Sequence, residues 1–378
     1  MSRNSDIDVC MITSYHDFDD DRIFQKEAKS LVKAGKRVVL LAPADKKQFI
    51  CDGIQVFGFK RRKYLGRLVT TLQLTVKAFE LRAGAYHFHE PELLLAGMFL
   101  RIFTRGKIVY DVHEEHATSI PVKVKSPLIR KLVGMCIFAL ERMLAKVPHN
   151  VIVVRKDLAD RFARYGCTNI TEILVCAPTE LFPRREKGVL NSGTVTIVHE
   201  GNLDIATRGL DKYLEAARIV RDKIANVHFL TIGRVPPKDL EWMRSFMSAN
   251  RMEDYFEICS WIRFEELPKI LRASSIGILL LQPVSMNNIM GLPNKLFDYM
   301  AAGIPTVACN FPNIAEIVSR ADCGVLVDPT DPAKIAAGVT FLIENPEEAV
   351  RLGKNARAAF ERYYNWEEME KRLLAVYS

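Results

Sequence analysis

Short apolar runs alternate along this chain with longer stretches whose apolar residues fall three and four apart, and this alternation is what most restricts its fold. A strand apolar on both faces has to be covered on both faces. The simplest solution is the βαβ unit, so the pattern predicts mostly parallel sheets flanked by helices. Strands are expected at residues 7–12, 37–41, 54–59, 85–88, 107–110, 151–154 and 172–175. A second set is expected at 195–198, 228–232, 256–258, 276–281, 306–308 and 325–327. Helices fill the intervals. The clearest covers residues 21–34, where Ile23, Ala28, Leu31 and Val32 form a stripe and Gly35 supplies the stop.

From residue 177 to 192 the alternation breaks into APTELFPRREKGVLNS, a segment of prolines and charges that reads as an interdomain linker. A chain of 378 residues, 49% hydrophobic, exceeds the roughly 250 residues a single core usually serves. Two α/β domains are therefore expected, over residues 1–185 and 186–362, with a last helix from near Trp366. Two such halves leave a cleft, and open α/β sheets bind ligands at the carboxyl ends of their strands.

The net charge of +8 is unevenly placed. Residues 1–185 hold 31 Lys and Arg against 20 Asp and Glu, whereas residues 186–378 hold 22 against 25. A basic first half implies an anionic partner on that side. None of the eight cysteines forms a CxxC pair, so they read as reduced core residues and favour a cytoplasmic setting. The start, MSRNSDIDV, lacks the apolar segment of a secretory signal, and no run reaches the roughly 18 apolar residues of a spanning helix.

The segment GLPNKLFDYMAAGIPTVA, residues 291–308, carries the most chemistry. Pro293 suits a helix start, and Gly303 with Pro305 ends the helix. Lys295 then sits in the first turn, where the helix dipole opposes a cation unless an anion is present to attract both. Asp298, three residues on, lies on nearly the same face and suits ribose hydroxyls. The segment HEGNLDIATRGLDKYLEAA, from His199, repeats the logic: a strand ends, Gly201 allows close approach beside Asn202, and Arg208 is expected at the next helix start. Two cations placed this way could clamp a diphosphate, leaving little for Mg²⁺ to neutralise. Gly233 and Arg234 in TIGRVPP form a third, weaker signal. Trp261, Asn294 and Leu296 complete the candidate ligand-binding set of this half.

In the first half, VYDVHEEH places Asp111, His113 and Glu114 just past a strand, and YHFHEPE places His89 and Glu90 past another. His113 and His116 are three apart, which is not the HExxH spacing of zinc sites, and no metal is expected. The acidic run at Asp19 to Asp21 suits a helix cap, and NIAE from Asn313 resembles a capping box. KRRKYLGRLVTTLQLTVKAFEL, from Lys60, leads into a helix whose Leu65, Leu68, Leu72, Val76 and Phe79 read as a core-facing stripe. Lys60, Arg61, Arg62, Lys63 and Arg67 at its start are candidates for peripheral contact with anionic lipid. No motif for nucleic acid accompanies them.

Together these segments resemble glycosyltransferase family 4, most strongly over residues 199–329, through PNKLFDYMAAGIPTV, CGVLVDPTDP and VYDVHE. NWEEMEKRLLAVY is similar to that family's ending. The resemblance implies the GT-B fold, two Rossmann-like domains facing a cleft, with residues 363–378 returning to the first. It also implies a retaining transfer from a nucleotide diphosphate sugar to a glycan, lipid-linked or small-molecule acceptor, with no cofactor and no metal. By motif, Asp298 would hold the donor ribose, Arg208 and Lys295 the diphosphate, and His113 would approach the transferred sugar. His89, Glu90 and Glu114 would line the acceptor side. Met290 stands where many members carry a sugar-contacting Glu, and Asn202 replaces a common Arg. A nucleotide-sugar epimerase and a non-catalytic nucleotide-sugar-binding protein are the alternatives.

Overall fold

Each set of strands closes into its own sheet. The computed structural model describes residues 6–62, 66–113, 115, 126–184, 193–260, 262–263 and 266–378. The chain divides into two compact units, Met1–Val175 with Met369–Ser378, and Cys176–Glu368.

The first unit holds an eight-stranded sheet in the order β3-β4-β2-β1-β5-β6-β7-β8. Its strands are β1 (Val9–Ile12), β2 (Val38–Pro43), β3 (Gln48–Cys51), β4 (Ile54–Phe59), β5 (Ala85–Phe88), β6 (Lys107–Val112), β7 (Asn150–Val153) and β8 (Ile170–Glu172). All pairs are parallel except β3 with β4. Strand β3 escapes the apolar-run criterion because its side chains alternate between exposed and half-buried. Its signal is the Asp52-Gly53 turn: both residues have positive φ, 49° and 78°, as a tight hairpin requires. Strand β8 also lies earlier than the expected 172–175.

The second unit holds six parallel strands in the order β11-β10-β9-β12-β13-β14. These are β9 (Val195–Glu200), β10 (Val227–Ile232), β11 (Phe256–Cys259), β12 (Ile276–Leu279), β13 (Thr306–Cys309) and β14 (Gly324–Val327). Its core joins Ile197, Phe229 and Ile278 of the sheet to Leu214 and Val339 of covering helices. The order reverses between β9 and β12, which creates the crevice where ligands of such sheets bind.

The unit boundary falls ten residues before the expected 185. Residues following Val175 are already tied into the second unit: Trp366 N–H donates to Ala177 O, and Thr179 N–H and Oγ donate to Glu367. The last helix, Trp366–Val376, begins in the second unit, but from Met369 onward it belongs to the first.

The helix Gly66–Leu81 is rotated relative to its expected burial. Thr70, Thr71, Leu74, Thr75 and Ala78 face the protein, while Leu68, Leu72, Val76 and Phe79 are exposed. Small threonines let the helix approach closely, their hydroxyls bonding back to carbonyls four residues earlier. Leu65 lies outside the described residues. The capping box expected at Asn313 is also absent. The helix Pro312–Ala321 is capped at Phe311 without a side-chain bond, and Asn313 Nδ2 reaches Met290 O at 2.7 Å.

In the middle of β12, Gly277 leaves room for the ring of buried Tyr299, because a Cβ there would stand 2.5 Å from ring carbons. Gly277→Ala is expected to lower stability by about 1–3 kcal/mol through overpacking. A urea midpoint unchanged from wild type would show that Tyr299 yields without loss.

Candidate functional site

In the second unit the site is built where β9 and β12 part. Their pairing ends at Gly277 and Val198. Beyond that point the Tyr299 hydroxyl enters the gap, accepting from Glu200 N–H at 3.0 Å and lying 3.1 Å from Ile278 O. Tyr299 comes from the helix Asn294–Ala302, so the same helix that holds the strands apart brings its own N-terminus to the opening. Pro293 caps it without a side-chain bond, leaving first-turn N–H groups and the positive end of the dipole facing outward.

Lys295 in that first turn is buried, and its Nζ lies 3.0 Å from His199 Nε2. Burial lowers its pKa to about 7, with nearby Arg208 adding to the effect against the pull of Glu200 and Asp298. His199 is likewise held well below its ordinary value by burial and by the charges of Lys295 and Arg208. A neutral His199 accepts the ammonium proton at Nε2, which places its own proton on Nδ1, a buried atom with no other partner among the described residues. Glu200 is pushed up by burial against the pull of Lys295, and it shares a hydrogen bond with Asp298. One of its oxygens, Oε2, is buried with no hydrogen-bond partner among the described residues.

Arg208 is not in the first turn of the long helix as expected. It ends the one-turn helix Ile205–Arg208, capped by Asp204, which accepts from Thr207 N–H at 2.6 Å. Gly209, at φ 67°, then turns the chain into the helix Leu210–Lys223. This short helix tolerates Arg208 because a cation suits its C-terminal end. The guanidinium makes no side-chain hydrogen bond or ion pair among the described residues, and burial depresses its pKa. The turn is held by Gln282 N–H and Asn288 Nδ2, which donate to Thr207 O at 2.9 and 3.0 Å.

Gly201 and Gly233 pack backbone to backbone. A Cβ on Gly233, at φ 147°, would stand 2.2 Å from Gly201 O, and one on Gly201 would touch the Lys295 ammonium at 3.5 Å. Asn202, Arg234 and Asn294 are exposed around this opening. Leu296 is not part of it: its side chain is wholly buried in the core, and its N–H is satisfied by Pro293 O. Trp261 lies outside the described residues. His199, Glu200 and Tyr299 are not among the residues the sequence singles out, although a His-Glu pair ending an apolar strand just before a glycine is a signal for the first two.

In the first unit the order reverses at β1 and β5, and a buried network collects at their carboxyl ends. The π-wound turn Asp21–Ala28 brings Arg22 and Glu27, five residues apart, onto one buried side. Its cap is Asp20, as the acidic run implied. Arg22 donates to both oxygens of Asp111 at 3.0 Å and lies 2.9 Å from Glu27. Asp111, held well below its usual range by Arg22 in spite of burial, in turn bonds His113 Nε2 at 3.0 Å. His113 is lowered to about 4 by burial, so it is neutral at pH 7 with its proton on Nε2. Its Nδ1 then carries a lone pair, and the ring is partly exposed.

His89 is fully buried and contacts His113 at 3.1 Å, so it supports that ring from within. Glu90 is also not a surface contact. Burial would raise its pKa, but hydrogen bonds from His16 and Thr13 hold it at about 2, and it also accepts from Ser14 N–H at 2.8 Å. It clamps the loop after β1. Arg67, expected at a lipid surface, is spent on Glu92 and Ser14, and Arg61 pairs with Asp17. Glu114 and Lys63 lie outside the described residues. Glu27, His87, His89 and Asp111 offer ligand atoms within 4.8 Å of one another, a grouping the sequence spacing did not reveal. A divalent ion there would compete with the Arg22 guanidinium, which already bonds both Asp111 oxygens.

Residues 194–345 match the family described as Glycosyl transferases group 1. Over 302 residues the chain is 24% identical to the MMP alpha-(1->4)-mannosyltransferase of Mycolicibacterium hassiacum, covering 76% of this chain and 69% of that protein. It is 23% identical to the 2-deoxystreptamine N-acetyl-D-glucosaminyltransferase of Niallia circulans, covering 72% and 70%. Among solved structures, Anabaena HepE in complex with UDP superposes with a TM-score of 0.75 at 13% identity, covering 98% and 99%. Sucrose-phosphate synthase from Thermosynechococcus elongatus does so at 0.72 and 16%, covering 98% of each chain. Two Rossmann-like sheets, a cationic site at the switch point of the second and these likenesses lead to one conclusion: the chain is a glycosyltransferase with the GT-B fold, and the group 1 match lies within its second unit.

Proposed function

We propose that the enzyme is a retaining transferase of family 4 that takes its sugar from a nucleotide diphosphate donor and needs no metal ion. The observation that carries this reading is the Lys295 ammonium, buried in the first turn of a helix with a neutral imidazole for its partner. Two acids stand nearby, but burial and Arg208 still depress its pKa. A diphosphate at this opening would meet Lys295, Arg208 and free helix N–H groups together, and each is more favourable with the anion than without it. Asp298 and Glu200, joined by a hydrogen bond, are the proposed acceptors for ribose hydroxyls. Gly201 and Gly233 keep side chains out of the phosphate space.

Nucleotide use in relatives supports the choice of donor. HepE has been solved with UDP-glucose, and the Escherichia coli trehalose-6-phosphate enzyme with UDP-2-fluoro glucose. In the proposed reaction the C1–O bond to the diphosphate breaks, and the acceptor oxygen bonds to the same face of C1. The leaving phosphate oxygen takes the acceptor's proton. Stabilising the charge that develops on the diphosphate is then the main catalytic contribution, made by Lys295 and Arg208. His113, neutral and oriented by Asp111, offers its Nδ1 lone pair to a substrate hydroxyl.

Lys295→Ala is expected to reduce kcat by roughly 10²-fold or more at saturating donor, by analogy with loss of one oxyanion donor. A steady-state rate near wild type would remove the clamp from the mechanism. Proton linkage gives an independent check. Because the free-enzyme pKa is about 7 and a bound diphosphate raises it, donor binding should take up protons above pH 7 and almost none at pH 6. Affinity should accordingly weaken by up to about tenfold per pH unit above 7. Calorimetry in two buffers of different ionisation heat at pH 8 reads this uptake, and a zero value contradicts the assignment. Turnover should also persist in excess EDTA, and recovery only on adding Mn²⁺ or Mg²⁺ would favour a metal-assisted leaving group instead.

A further inference from the structure

Three neighbouring helices of the first unit each turn an apolar stripe outward. On Gly66–Leu81 the exposed residues are Leu68, Val69, Leu72, Val76 and Phe79. The helix Leu93–Phe103 exposes Leu95, Met98, Phe99, Ile102 and Phe103, and Pro127–Leu144 exposes Leu128, Ile129, Leu132, Met135 and Met143. Steps of three and four residues recur in each, and Met143 lies eleven residues, about three turns, beyond Leu132, so each stripe follows one side of its helix. Leu93–Phe103 packs against both of the other helices, and Phe79 meets Phe99 with ring centroids 5.8 Å apart, so the stripes are continuous. Soluble proteins seldom expose contiguous apolar patches beyond a few hundred Å².

The charge around this face is predominantly basic. Arg82, Arg101, Arg105, Arg130, Lys131, Arg142 and Lys146 are exposed on these helices and their ends. Lys131 and Arg142, eleven residues apart and so about three turns along one line, edge the last stripe. Glu80 is the exposed acid on the three helices, and it pairs with Lys77, while Glu141 is buried. None of the described helices is long and apolar enough to cross a membrane.

We propose that this three-helix face docks on an anionic lipid bilayer, with the fifteen named side chains entering the acyl boundary and the basic rim at the headgroups. This differs from the docking expected at Lys60 to Arg67, where Arg61 and Arg67 are held by acids of the protein itself. A second copy of the chain is a poorer occupant. A two-fold contact would set one basic rim against the other, whereas anionic headgroups complement it. The inference does not depend on the donor site.

Sedimentation with sucrose-loaded vesicles tests it. The wild-type chain should partition onto vesicles of 30% phosphatidylglycerol in phosphatidylcholine at least about tenfold more strongly than onto phosphatidylcholine alone. The triple variant Leu72→Glu, Ile102→Glu, Leu132→Glu changes only exposed positions and should keep its circular dichroism and thermal midpoint. Its vesicle partition should fall about 100-fold or more. Lys131→Glu with Arg142→Glu should erase the preference for anionic over neutral vesicles. Wild-type protein that stays in the supernatant, or a triple variant that sediments as before, overturns the proposal. So does a concentration-dependent dimer in lipid-free sedimentation velocity that the triple variant abolishes, which would make the face a protein interface.

Discussion

A buried ammonium whose hydrogen-bond partner is a neutral imidazole is the interaction on which the second unit's organisation turns. Lys295 sits where its helix dipole repels it and where burial penalises its charge, with His199 as its bonded neighbour. Every adjacent feature makes sense once an anion is added. Gly201 and Gly233 pack closely without side chains beside the Lys295 ammonium, Arg208 has no side-chain hydrogen bond or ion pair among the described residues, and the Asn294–Ala302 helix aims its N-terminus outward. Tyr299, from the same helix, holds β9 and β12 apart and is accommodated by Gly277. Under the proposed function, a bound diphosphate would relieve this unfavourable arrangement, and perturbed charges of this kind are common at functional sites.

The first unit solves a different electrostatic problem. Asp111 is deeply buried yet ionised because Arg22 grips both its oxygens, and Glu27 beside them is pushed up by burial toward its neutral form. The cluster therefore balances one cation with one anion, and His87 and His113 stay neutral. Tyr377, nearly at the end of the chain, closes the network on His87 at 2.6 Å. The outcome is one oriented imidazole, His113, whose Nδ1 has no hydrogen-bond partner among the described residues. Asp111 acts through His113, and Glu90 acts through the loop after β1.

The outward stripes on the first unit also follow from packing. Threonine and alanine make the inner face of Gly66–Leu81, and Gly97 and Ala96 line the inner face of Leu93–Phe103, so both helices settle close to the sheet. Leu74, Leu93, Leu94 and Leu100 fill the inner faces beside these small residues, and the remaining large aliphatic and aromatic residues are left on the other side. Such an inversion raises the cost of staying in water, which gives a surface partner its driving force.

Much of the architecture was legible because it rests on local pattern. Apolar runs with period-matched helices between them place twelve of the fourteen strands among the described residues closely, and the glycine stops and Asp20 cap mark helix ends from residue type alone. The exceptions are β3, whose half-exposed side chains carry no apolar run, and the shifted β8. The cations Lys295 and Arg208 were likewise visible, since a cation expected in the first turn of a helix opposes its dipole, although Arg208 ends a one-turn helix instead. What needed three dimensions was the identity of their neighbours. His199, Glu200 and Tyr299 join the site, Leu296 leaves it, and Glu90 and Arg67 turn inward, because a side chain's direction depends on what packs against it. Periodicity states that a helix has an apolar face. Only the close approach of small residues decides which face the protein keeps, and which it offers to something else.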